Sequence, residues 1–144
     1  MKLPKVTAAA ALLCSLVASP VQAQAQQSCA AHYLIAVPGG GNTAEGIPDY
    51  VPHGGNVFMT GMLTRLGTGG EIQPLWVSYT STPFATSEYE KSKAGGLKRA
   101  RNTVSRLANA CPNAKFSFTG YSLGADIAAT ITSDIAAGRG PIEP

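Results

Sequence analysis

The residues whose types and spacing can do chemistry are Gly120-Tyr121-Ser122-Leu123-Gly124. They follow a strand-like run, Lys115-Phe116-Ser117-Phe118-Thr119, and open a helix-like run from Ala125 to Ile131. A serine on a tight strand-to-helix turn is a nucleophile elbow. The backbone approaches itself so closely there that the flanking positions must lack side chains, and the hydroxyl is lifted clear of the sheet. Ser122 is therefore the candidate nucleophile, and the chemistry it suggests is acyl transfer. A nucleophilic serine also needs a base and an oxyanion hole. Gly39-Gly40-Gly41, just after another strand-like run, reads as an oxyanion loop. One N–H would come from that loop, with Gly40 as the candidate donor, and the other from Leu123, the residue after the nucleophile.

The base is harder to place. In α/β-hydrolases the triad runs Ser, then Asp or Glu, then His, yet only 22 residues follow Ser122 and none is a histidine. The chain's two histidines precede the serine. His32 falls at a strand start and His53 in a proline- and glycine-rich loop, and both read as structural or surface residues. Asp126 lies one helical turn beyond Ser122, which makes it a helix-face residue and not a triad orienter. Asp134 and Glu143 read as surface carboxylates. No His, Asp or Glu cluster has the spacing of a metal site, and no cofactor is implied. Gly39, Gly41 and Ala44 also match G-x-G-x-x-A, but Pro48 and Pro52 deny the helix that a dinucleotide turn must open.

These residues are positioned by elements with an alternating pattern. His32–Val37 is a short apolar run that reads as a buried parallel strand. Residues 42–56 read as a loop, and Val57–Leu66 as a short helix. Ile72–Tyr79 reads as a second strand, with Pro74 marking an edge or a strand start. In Glu88–Ala110, Leu97, Ala100, Val104, Leu107 and Ala108 recur at helical spacing, while Lys98, Arg99, Arg101 and Arg106 occupy the other faces as a solvated surface. A third strand, Phe116–Thr119, and a helix, Leu123–Ala137 ended by Gly138, complete the order. Strand and helix in alternation predict an α/β domain with a mostly parallel sheet.

At the other end of the chain, Lys2 and Lys5 precede an apolar stretch from Val6 to Ala18, and Val21-Gln22-Ala23 gives an A-x-A-like cleavage site. Residues 1–23 thus read as a secretory signal and 24–144 as the functional domain. Export then accounts for the cysteines. Cys14 is discarded with the signal, and Cys29 and Cys111 are left to form one structural disulfide. The formal net charge of +3 shrinks to near neutrality once Lys2 and Lys5 are removed, so the sequence makes no electrostatic case for nucleic acid.

Several segments together resemble the cutinase family, in particular its actinobacterial cell-envelope branch. They are Leu34–Gly39, Ser78-Tyr79-Thr80, Tyr89–Gly96, Cys111-Pro112, Gly120–Ala125 and Gly138-Arg139-Gly140-Pro141. The resemblance covers residues 29–144. It implies an α/β-hydrolase fold and a secreted or envelope-associated serine esterase acting through an acyl-enzyme on Ser122. Its substrates would be ester or thioester bonds of lipids or acyl polymers. It further implies the Cys29–Cys111 bridge, a monomer, and peripheral contact with the cell envelope.

Three departures stand out. Leu123 replaces the family's usual Gln, Gly40-Gly41-Asn42 lacks the Ser or Thr often found in the oxyanion loop, and the family's Asp and His lie beyond the Gly-Arg-Gly-Pro segment. The sequence thus reads as the N-terminal part of such an enzyme with the C-terminal part missing, and as nearly inactive in this form. The alternative expectation is a non-catalytic secreted acyl-binding protein or a truncated remnant.

Overall fold

A computed structural model describes residues 28–53, 71–82 and 86–144. The expected signal segment and the helix expected over Val57–Leu66 lie outside these residues. The elements run β1 (His32–Val37), β2 (Ile72–Trp76), α1 (Thr86–Ala110), β3 (Lys115–Gly120) and α2 (Leu123–Ala136). The three strands form one sheet in the order β2-β1-β3, with both pairings parallel. The fold is α/β with a parallel sheet, as the alternation of elements predicts.

β1 is central because its residues are apolar on both faces. Tyr33, Ile35 and Val37 join the larger core, while Leu34 and Ala36 join a second cluster with Trp76. Such double burial is what a parallel sheet demands of its middle strand. β2 ends at Trp76, three residues earlier than the expected strand, yet Val77 and Tyr79 keep the alternation and enter the same core as Leu75. Pro74 has no N–H to give a ladder, and it lies in the strand at one edge of the sheet.

Both helices supply the larger core. α1 contributes Ala100, Val104 and Leu107, and α2 contributes Leu123, Ile127, Ala128, Ile131 and Ile135. Each buried isoleucine is worth about 1.5–3 kcal/mol of transfer free energy. The helices cross at Gly96, where a Cβ would lie 2.5 Å from Ile127 Cδ1 and 3.1 Å from Tyr79 Cδ2. α2 stops at Gly138, whose φ of 69° is a left-handed cap, and its N–H donates to the Ile135 carbonyl at 2.9 Å.

The basic face of α1 is not simply solvated. Arg99 donates to Asp49 Oδ1 at 2.8 Å, Arg106 Nη2 lies 3.7 Å from Asp49 Oδ2, and Arg101 pairs with Asp134. Asp134, expected at the surface, is also paired with Arg139 at 3.1 Å. The physical reason is the loop before β2. Asp49 is pulled under α1 while its carbonyl accepts the Trp76 N–H at 2.6 Å, so its carboxylate needs cations nearby. Cys29 and Cys111 are joined by a disulfide that ties the segment leading into β1 to the residue that follows α1. Tyr33 stacks on Phe116 beside it, with ring centroids 5.8 Å apart.

Candidate active site

Ser122 sits between β3 and α2 with φ 53° and ψ −126°, the only positive φ of a residue other than glycine among those described. A serine held there costs of order 1–3 kcal/mol, which the surroundings must repay. They do so by close packing. A Cβ at Gly120 would strike the Gly124 carbonyl, and a Cβ at Gly124 would strike the carbonyls of Val37 and Pro38. The two glycines flanking the elbow therefore let the start of α2 press against the end of β1. Gly124 N–H donates to Tyr121 O at 2.9 Å and Ala125 N–H to Ser122 O at 2.9 Å, closing the turn. Ser122 is exposed, and its hydroxyl makes no capping bond to the helix it precedes. It stands at the N-terminus of α2, where free N–H groups and the helix dipole favour negative charge.

The glycine loop reaches the same spot. A Cβ on Gly39 would lie 2.9 Å from Tyr121 O and 3.3 Å from Ser122 Cβ, so only glycine lets the loop pass this close. Pro38 is anchored beneath it, its carbonyl accepting Tyr79 Oη–H at 2.6 Å. Burial pushes the Tyr79 phenol well above its ordinary range, so it remains a donor. Beyond Gly39 the loop turns on itself. Asn42 N–H donates to Gly39 O at 3.1 Å, and Gly41 N–H donates to Ser81 O at 3.1 Å. Ser81 Oγ–H donates to Thr43 O at 2.8 Å and accepts from Thr43 N–H at 3.3 Å. Ser122, Leu123 and the glycine loop are thus brought together at the carboxyl ends of β1 and β3.

Neither histidine is free to serve Ser122. His32 opens β1, at the opposite end of the strand from the glycine loop, and its Nε2 is 2.8 Å from Ser117 Oγ. His53 is only 3% exposed, and its Nδ1 is 2.7 Å from Thr43 Oγ1. Its pKa is lowered by burial, partly countered by a hydrogen bond to the Pro48 backbone and by Asp49. Among the described residues Nε2 of His53 has no partner, which also favours the neutral ring. Asp126 lies on the first turn of α2 and holds Lys93 Nζ and Tyr89 Oη, each at 2.9 Å from Oδ2. The bond to Lys93 holds its carboxyl below the usual range, and the same contact raises Lys93. Sequence reasoning singled out the serine, its two flanking glycines and the loop, which the structure places side by side. It missed Thr43, Ser81 and the Tyr89–Lys93–Asp126 cluster, because the partners in each lie 33 or more residues apart.

A parallel α/β sheet with a serine elbow and a glycine loop at its carboxyl edge defines a hydrolase-like class. Within it the cutinase family model matches residues 48–139, and the chain belongs to the cutinase family. A comparison with curated proteins gave no match. Among solved structures, an iodinated complex of an acetyl xylan esterase superposes with a TM-score of 0.50 at 20% identity, over 76% of this chain and 48% of that one. An acetylxylan esterase determined at 0.90 Å resolution has a TM-score of 0.48 at 21% identity over the same shares. The chain thus spans about half the length of these structures.

Proposed function

We propose that this chain carries the nucleophile and oxyanion hole of a secreted serine esterase of the cutinase type. Ser122 Oγ attacks an acyl carbonyl, and the N–H groups of Leu123 and Gly40 receive the developing oxyanion. The alcohol or thiol leaves with a proton, and water then hydrolyses the acyl-serine. The observation that carries this reading is the positive φ of an exposed Ser122 pressed against Gly39. Strain at a serine is retained where it aims a hydroxyl. The substrates are ester or thioester bonds of lipids or acyl polymers, reached through a shallow site. A disulfide between Cys29 and Cys111 supports an oxidising compartment, hence secretion or the cell envelope.

Neither His32 nor His53 serves Ser122 as general base, because both are engaged elsewhere, and a serine esterase needs a base and the carboxylate that orients it. Without them turnover falls by about 10⁴–10⁶. Acylation and deacylation both slow, so an acyl-enzyme formed from an activated ester persists. The test is incubation with p-nitrophenyl butyrate followed by peptide mapping. One butyryl group on the peptide containing Ser122, absent from Ser122→Ala, is the expected result. Acylation confined to lysines would refute the reading.

A further inference from the structure

The oxyanion loop of this chain has no hydroxyl side chain between Gly39 and Asn42, and Gly40 is flanked by two further glycines. A triple-glycine segment is the most permissive backbone a chain can have, so something must hold the Gly40 N–H in one direction. The peptide planes on either side of Gly40 show what does. In the plane joining Gly39 and Gly40, the Gly39 carbonyl is turned into the loop to accept the Asn42 N–H at 3.1 Å. In a trans peptide the N–H points opposite to the C=O, so the Gly40 N–H faces out of the loop. It starts from Gly39, where an added Cβ would lie 3.3 Å from Ser122 Cβ. In the plane joining Gly40 and Gly41, the Gly40 carbonyl accepts Asn42 Nδ2–H at 3.0 Å while the Gly41 N–H is held by the Ser81 carbonyl at 3.1 Å. Asn42 therefore grips both planes, one through its backbone N–H and the other through its side-chain amide.

We propose that Asn42 is a positioning residue: its backbone N–H holds the Gly39–Gly40 plane that carries the Gly40 N–H, and its side-chain amide, by holding the Gly40 carbonyl, locks the following plane, so that the Gly40 N–H stays aimed at the oxyanion formed on Ser122. This rests on the reading of Ser122 as nucleophile and Gly40 as donor. The amide does by restraint what a hydroxyl in the loop would do by direct donation. It matters most in the transition state, because a donor costs no reorganisation only if it already points at the forming charge. Aspartate at this position has the same shape but no hydrogen to donate when ionised, and it would set a negative oxygen against the Gly40 carbonyl.

The test follows phosphonylation of Ser122 by a fluorophosphonate at pH 9 in the 144-residue chain, Asn42→Asp and Asn42→Ala, with saturation kinetics and melting temperature measured for each. Both variants are expected to lower the limiting rate about tenfold, with half-saturation unchanged and melting within a few degrees of the parent. A limiting rate that is unchanged in both overturns the proposal. So does a loss that tracks a falling melting temperature in both variants, because the role would then be structural. A parent chain that is never labelled at Ser122 overturns the nucleophile reading itself, and the positioning role with it. Labelling that is normal in the parent and indifferent to Asn42 overturns only the present inference.

Discussion

Ser122 takes its strained φ from its neighbours, so the residues most sensitive to change are those with no side chain. Alanine at Gly124 would press a methyl onto the Val37 and Pro38 carbonyls, and backbone cannot yield as a side chain can. Gly124→Ala is expected to abolish labelling of Ser122 and to lower stability by about 2 kcal/mol or more, readable by urea unfolding. His53 gives a second prediction at this scale. Its folded pKa lies below the ordinary imidazole value of 6.5 because burial penalises the charged ring. The unfolded chain therefore binds more protons just below pH 6.5, and stability is full above that pH and falls as the pH drops toward the native value. Melting measured from pH 7.5 to 5 should decline more steeply in the parent than in His53→Gln, and equal slopes would contradict this. The strained turn at Ser122 was legible in the sequence because a strand-to-helix turn of this kind is a local device of five residues. The ties holding the glycine loop were not, because Thr43 and Ser81 meet only after β1 and β2 pair, and no periodicity marks them.

Among the elements, α1 shows how far pattern carries. Its apolar stripe predicts Ala100, Val104 and Leu107 in the core, and they are there, but the same pattern leaves its arginines as mere surface. The structure binds two of them to Asp49, a loop residue 50 positions before Arg99, and sequence spacing alone cannot reveal such a partner. Asp49 has only 10% of its side chain exposed, whereas Arg99 is 47% exposed. Asp49→Ala should therefore cost about 2 kcal/mol in chemical denaturation, because the loop loses its charge-assisted bonds. Arg99→Ala should cost less, since Arg106 remains beside the carboxylate. Adjacent glycines on the same helix give an internal control. Gly95 has open space around its missing Cβ, whereas Gly96 meets Ile127 and Tyr79. Gly95→Ala should raise stability by roughly 0.5–1 kcal/mol through helix propensity. Gly96→Ala should lower it by about 1–3 kcal/mol by forcing the helices apart. A gain at Gly96 would mean that the α1–α2 crossing is not tight.

Over the whole molecule, the Cys29–Cys111 bridge closes β1, β2 and α1 into one loop with a sequence separation of 82. On the chain-entropy account such a loop is worth about 4 kcal/mol. Reduction should therefore lower the melting temperature sharply, and a chain indifferent to reductant would contradict the bridge. Sheet order was beyond the sequence. The alternation of strand and helix predicts parallel pairing, but that β1 lies between β2 and β3 follows only from its being apolar on both faces in the folded state. The cutinase family model spans β2, α1, β3, the turn at Ser122 and α2. Ser122 is the centre of the proposed chemistry. The most direct measurement is exhaustive peptide mapping after exposure of the chain to a fluorophosphonate at alkaline pH, beside Ser122→Ala. A phosphonyl adduct confined to Ser122 and absent from the variant is the predicted result. Adducts spread over several serines, or none at Ser122, would contradict it.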